Sequence, residues 1–416
     1  MDENESAGPV DPILLDRLAE VAVKVGLNLA PGQELVMTAS LEALDLSRRI
    51  TEHAYKAGAS LVTTLFSDDV ATLARFKHAP DASFDRASGW LYEGMAAAFR
   101  GGAARLAIAG DDPSLLAQAD PDKVARANRA RSIAYRPALK MISDTDINWT
   151  IVSYPTLSWA KAVFPDLPPR EAVRRLADAV FKATRIDGDD PVRAWADHNA
   201  ALHANADRLN AKRYAAMHFS GPGTDLTIGL ADGHLWKGGS SPAKNGIVCN
   251  ANMPTEEVFT TPHKDRVEGT VRSTKPLSYQ GTLIQDIAVR FEGGKIVDCR
   301  ARTGQDVLAK VLETDEGARR LGELALVPNS SPISQSGLLF LNTLYDENAA
   351  CHIALGQSYA MCLEGGTAMS PEELAAHGAN TSLIHIDWMI GSGEIDIDGV
   401  TADGAREPVM RKGEWA

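Results

Sequence analysis

Between Pro12 and Ala201 the chain alternates helix-length amphipathic segments with short apolar runs. Strands separated by that much helical sequence pair in parallel through crossover helices, which makes this half an open α/β domain. The first helical segment, 13–24, carries Leu14, Leu15, Leu18 and Val21 at helical spacing, and Gly26 is expected to stop it. Pro31-Gly32-Gln33 turns into a strand at 34–38, Ser40 is a plausible N-cap for a helix over 41–57, and Gly58 ends that helix. Further strands are expected at 60–66, 105–110 and 148–153.

Near residue 205 the texture changes. Short alternating segments such as Thr224-Asp225-Leu226-Thr227-Ile228 and Lys295-Ile296-Val297-Asp298-Cys299 follow one another, with Asp232-Gly233 and Gly293-Gly294 as turns. The pattern predicts an α+β domain with a mostly antiparallel sheet over 205–416, after an α/β domain over 1–204. Two domains also suit 416 residues, a length that outgrows one core.

Charge narrows the function. A net charge of -13, with no long Lys/Arg run, argues against nucleic acid as a partner. No apolar run reaches the ~20 residues of a membrane helix. The first twelve residues, rich in acids, have the character of a frayed polar terminus and not of a targeting peptide. Cys249, Cys299, Cys351 and Cys362 are scattered without CxxC pairing, as in a reduced cytoplasmic protein. Cys351 beside His352 is no thiolate dyad, because neighbours on a strand or helix point apart. Gly221-Pro222-Gly223-Thr224-Asp225-Leu226 lacks the third glycine and the preceding first strand of a dinucleotide loop, so nucleotide binding is disfavoured.

The chemistry concentrates in Leu383-Ile384-His385-Ile386-Asp387-Trp388-Met389-Ile390-Gly391. On a strand, residues two apart share a face, so His385 and Asp387 project together while Ile384, Ile386 and Trp388 face the other way. Alone, such a pair is either the edge of a metal site or a buried, mutually hydrogen-bonded His–Asp pair. Its company favours metal: Glu323 and His352 each sit in a short apolar segment, and Glu256 and Glu257 lie together between Pro254 and Pro262. Carboxylates with imidazoles and no thiolates suit Zn²⁺, Co²⁺, Mn²⁺ or Fe²⁺ in a catalytic role. Five such ligands exceed what one catalytic ion takes from protein, and two ions sharing a carboxylate would use them all.

The segments PTEEVFTTP, RVEGTV, GELALV, NTLYDENAACHIALGQSY and HIDWMIGS closely resemble the aminopeptidase T and aminopeptidase S family of bacterial metal-dependent aminopeptidases. The resemblance is densest from about Met217 to Gly399. It implies two divalent metals held by Glu257, Glu323, His352, His385 and Asp387, with Tyr359 matching the family's tyrosine. Alternation lets only one of Glu256 and Glu257 face the metals, and the family pattern selects Glu257.

The implied reaction is removal of N-terminal residues from short peptides by a metal-bridged hydroxide. Tyr359 would donate to the oxyanion, and Glu256, outside the metal shell, would shuttle the proton to the leaving amine. A cytoplasmic homodimer formed through the second domain, enclosing the sites in a cavity, is likewise implied. The alternative from another reaction class is a mononuclear non-haem iron ring-opening dioxygenase using His352, His385 and Asp387; that site has no need of Glu257 and Glu323.

Other residues read as structural. His53, His78, His198, His203, His218, His234, His263 and His377 suit surface or capping roles. Glu268 suits a solvent or outer position, Asp346-Glu347-Asn348 bracing of the loop before His352, and Trp388 and Phe259 packing.

Overall fold

The structure, a computed structural model, describes residues 10–279 and 281–416; most of the polar N-terminal stretch, 1–9, lies outside the described residues. The chain divides into two compact units. One contains the residues up to Ala196 together with Ser240–Pro254, and the other contains Asp197–Gly239 and Thr255–Ala416.

The first unit is built on four strands, β1 (Glu34–Ser40), β2 (Leu61–Ser67), β3 (Ala104–Ala109) and β4 (Trp149–Ser153), in the order β2-β1-β3-β4. All neighbours are parallel. Helices α1 (Pro12–Val21), α2 (Leu44–Lys56), α3 (Asp69–His78), α4 (Gly89–Arg100) and α5 (Pro121–Ser143) connect or flank them. Val36 of β1 packs with Met95, Phe99, Ala138 and Ile142 in one apolar cluster.

Two local expectations need correction. Gly26 does not stop the first helix, which continues as a wider turn through Leu27 and ends at Asn28 in the left-handed conformation. Gly26 serves closeness instead, since a Cβ there would meet Met253 Sδ and Thr150 Oγ1 at 2.8 Å. Ser40 precedes the next helical turn but its side chain makes no capping bond.

Ser240–Pro254 belongs to the first unit although it lies late in the sequence. It forms the small hairpin β8 (Ser241–Pro242) and β9 (Val248–Cys249), and Asn252 bridges to Ile151 of β4 in parallel. A single cut at 204/205 has no means of expressing this return. Position 204 falls inside the helix Pro191–Lys212.

The second unit holds two larger antiparallel sheets. Eight strands run in the order β15-β14-β11-β6-β5-β19-β20-β21: Lys295–Arg300, Ala288–Glu292, Pro262–Arg272, Thr224–Leu230, Ala216–Gly221, Asp396–Val400, Arg406–Arg411 and Glu414–Trp415. Five run in the order β18-β17-β16-β10-β7: His385–Met389, His352–Gly356, Leu321–Leu326, Val258–Thr260 and Lys237–Gly238. A small hairpin, β12 (Leu277–Tyr279) with β13 (Thr282–Ile284), completes the strands. Met217, Phe219, Leu226 and Ile228 of the larger sheet share one core with Val258, Leu324, Leu326, Ile353, Ile386 and Trp388 of the smaller. One face of the five-stranded sheet is therefore apolar and buried, which leaves the alternate residues to its other face.

Candidate metal centre

Cross-strand register decides what that second face carries. Phe259 of β10 pairs with Ala325 of β16, Ala325 with His352 of β17, and His352 with Met389 of β18. One row along, Glu323 pairs with Ala354 and Ala354 with Asp387, while Gly356 pairs with His385. Directly paired residues in antiparallel strands point to the same side. Glu323, His352, His385 and Asp387 thus share one face, and Glu257 joins them because it lies two residues before Phe259. Leu324, Ile353, Ile386 and Trp388, the intervening residues, are in the core.

The side chains meet closely. His352 Nε2 lies 3.2 Å from Glu257 Oε2, and His385 Nε2 lies 3.0 Å from Glu323 Oε2 and 3.5 Å from Asp387 Oδ1. Two groups with metal-ligating geometry result: Glu257 with Glu323 and His352, and Glu323 with His385 and Asp387. Within each, the donor atoms lie inside 4.8 Å of one another, and Glu323 belongs to both.

Both imidazoles are oriented from behind. His352 Nδ1–H donates to the Ala350 carbonyl at 3.2 Å and His385 Nδ1–H to the Gln357 carbonyl at 2.8 Å. That fixes the tautomer in which Nε2 turns its lone pair toward the carboxylates. Nε2 facing carboxylate oxygens at these distances calls for positive charge between them, a metal ion or a proton on the ring. Asp387 Oδ1 adds to the demand: it is buried and has no hydrogen-bond partner among the described residues. Oxygen and imidazole donors in this arrangement fit a divalent metal.

Where no metal neutralises these charges, protons must. Burial disfavours imidazolium, but the bond and charge of Glu257 outweigh it and push His352 up to about 10. His385 is likewise pushed up to about 12, against burial, by Asp387 and Glu323. Burial, then the neighbouring charges of Asp387 and Glu257, lifts Glu323 to about 7 in spite of the bond from His385. Asp387 goes the other way: burial is overcome by the two imidazoles, and its carboxyl is held below the ordinary value.

Tyr359, which keeps 40% of its surface exposed, places its hydroxyl 3.3 Å from His385 Nε2. Its ring lies 4.9 Å from the His385 ring. Lost solvent, then the charges of Glu323 and Asp387, raise the phenol well above its usual value. Glu256 points elsewhere: its Oε2 is 3.8 Å from His198 Nε2, and it belongs to neither ligating group among the described residues. His198, read from sequence as a surface or capping residue, bonds the Thr255 carbonyl at 2.7 Å and so holds the loop that presents Glu257.

Sequence reasoning missed one member of the site. Glu347 sits on the short turn Glu347–Ala349, which packs against β18. Burial, then the charges of Glu257 and Asp387, raises its carboxyl well above the usual range. Its neighbours brace as expected: Asp346 accepts from the Phe340 and Asn342 amides, and Asn348 accepts the Glu256 N–H at 2.7 Å. No periodicity marks a residue on such a turn; its only signal was closeness to His352. Glu268 accepts from the Gly293 amide at 2.7 Å, an outer role, and Trp388 is packed in the core.

A carboxylate–imidazole cluster fit for divalent metal on an antiparallel sheet, joined in sequence to a parallel α/β unit, defines the class, and known proteins give it a family. The chain belongs to the M29 metalloproteases: the model described as thermophilic metalloprotease (M29) matches residues 13–415. It is similar to Aminopeptidase T of Thermus aquaticus, 56% identical over 401 residues, which span 96% of this chain and 98% of the relative. Aminopeptidase AmpS of Bacillus subtilis is 45% identical over 402 residues, 97% of this chain and 98% of the relative. The solved structure of wild-type AmpT from Thermus thermophilus matches with a TM-score of 0.92 at 53% identity, over 97% of this chain and 99% of that one.

The chain is therefore a metal-dependent aminopeptidase, a hydrolase, with the α/β and antiparallel α+β architecture expected from its sequence. None of these likenesses supports the dioxygenase alternative, and the site contains the two glutamates that a mononuclear iron triad does not use. Among the described residues no helix is long and apolar enough to cross a membrane.

Proposed function

We propose that the protein trims N-terminal residues from short peptides with two divalent ions, Zn²⁺, Co²⁺ or Mn²⁺, held by Glu257, Glu323, His352, His385 and Asp387. The observation that carries this reading is the membership of Glu323 in both ligating groups, which suits a carboxylate shared between neighbouring ions. The second unit, Asp197–Gly239 with Thr255–Ala416, is then the catalytic, metal-binding domain. When bound, the ions supply Lewis acidity and lower the pKa of water toward neutrality.

The remaining work falls to the chain. Tyr359 donates its hydroxyl proton as a hydrogen bond to the oxyanion that develops on the scissile carbonyl, a contribution of up to ~4 kcal/mol in comparable enzymes. Its position beside His385 supports that role. Two carboxylates outside the ligating groups are available for the proton that passes to the leaving amine: Glu256, the sequence expectation, and Glu347. Glu→Gln at each distinguishes them, since the carrier loses kcat while metal content is kept.

We further propose a cytoplasmic homodimer. The free state of Cys249, Cys299, Cys351 and Cys362 supports a reducing compartment.

The test is elemental analysis of protein purified without chelators, with leucine p-nitroanilide turnover followed on the same sample through chelation and return of Zn²⁺ or Co²⁺. About two ions per chain with metal-restored cleavage is the expected result. One ion at full activity overturns the dinuclear reading.

A further inference from the structure

Tyr359, the proposed oxyanion donor, is not held in a strand. It stands just before the short turn Ala360–Cys362, with extended backbone and a side chain 40% exposed. A donor aimed at a developing charge acts only if its direction is fixed beforehand. What fixes it comes from the segment that supplies Glu257.

Glu257 and Thr261 flank the short strand Val258–Thr260, which carries Phe259 at its centre. Glu257 meets His352. The Phe259 and Tyr359 rings meet edge to face, with centroids 6.0 Å apart and planes at 70°. Thr261, fully buried, donates its hydroxyl to the Tyr359 carbonyl at 3.1 Å, an oxygen that also accepts the Cys362 N–H. One five-residue segment, 257–261, therefore carries a candidate metal ligand, a wall for the tyrosine ring and an anchor for the tyrosine backbone.

We propose that Phe259 and Thr261 are positioning residues that hold the Tyr359 hydroxyl over the metal-ligating face, so that a single short segment sets both the ligand geometry and the oxyanion donor. This rests on the reading of Tyr359 as that donor. Phe259 limits rotation of the ring, and Thr261 limits movement of the backbone that carries it. Neither belongs to a ligating group, and both contact Tyr359 directly, so their effect is expected to pass through Tyr359.

The experiment is a double-mutant cycle on the metal-loaded protein, reading kcat, KM and metal per chain with leucine p-nitroanilide. Phe259→Leu is expected to lower kcat roughly 2- to 10-fold, the scale of an aromatic pair, with KM and metal content unchanged. Thr261→Val is expected to act in the same direction, while Phe259→Tyr and Thr261→Ser recover most of the loss. In a Tyr359→Phe background, Phe259→Leu is expected to cost nothing more. Equal losses in both backgrounds, or loss of metal from Phe259→Leu, overturn the positioning role. Full kcat in Tyr359→Phe alone overturns the donor reading beneath it, an outcome distinct from additivity in the cycle.

Discussion

Glu323 Oε2 and His385 Nε2 stand 3.0 Å apart although their strands are not neighbours, because in their rows β17 between them presents only the small Ala354 and Gly356. Shared membership of Glu323 in both ligating groups separates its substitution from the others. Glu323→Gln is expected to weaken both ions by more than roughly 100-fold, beyond the cost of removing a group that merely hydrogen-bonds a ligand. Asp387→Asn is expected to weaken one ion and leave the other. Titration calorimetry of metal into the chelated variants, read for stoichiometry, checks the difference.

Ala354 lies in a direct row between Glu323 and Asp387 and is fully buried. A larger side chain there occupies the space in which ligand atoms converge. Ala354→Leu is expected to abolish metal uptake while costing about 1–3 kcal/mol of stability through overpacking. Circular dichroism should report an intact fold at room temperature, and elemental analysis a metal-poor protein. Normal metal content would show that the row has slack.

The sequence made some of this site legible and hid the rest for physical reasons. His385 and Asp387 could be placed together because period-two alternation survives in a five-residue strand whose other face is core. Glu323 and His352 stood out as polar residues in short apolar runs, but their adjacency depends on register, which no local pattern fixes. Glu347 lies on a turn without periodicity, and His198 lies on a helix whose loop contact is remote in sequence. The return of Ser240–Pro254 to the first unit rests on pairing between Ile151 and Asn252, again invisible locally. The Phe259–Tyr359 contact joins two segments in the same way.

Asp346 offers a pH signature separate from the ligands. Burial raises its carboxyl to about 7, against the Phe340 and Asn342 amides and the charge of Lys275. A folded-state pKa above the unfolded value of about 3.9 means that the native state binds the proton more tightly. This stability is fully present below pH ~4 and is lost as pH rises toward 7, at about 1.4 kcal/mol per pH unit. Asp346→Asn removes the dependence. Urea unfolding of both proteins from pH 4 to 8 is expected to show the variant gaining on the wild type across that range and running parallel above it.

Metal and fold should be linked through the same carboxylates. Glu323 and Asp387 are buried, and without a cation their charges are balanced by protons on His352 and His385 and relieved by protonation of Glu323 itself. Ligands that bind the native state alone stabilise it by mass action, about 2.7 kcal/mol when free metal exceeds Kd by 100-fold. Chelation is therefore expected to lower Tm, and each tenfold rise in returned metal should recover about 1.4 kcal/mol per bound ion. Because Glu323 serves both groups, Glu323→Gln is expected to flatten this dependence for both ions, while Asp387→Asn leaves about half the slope. A Tm that ignores metal in the wild type would mean that the ligand face is held by the sheet alone.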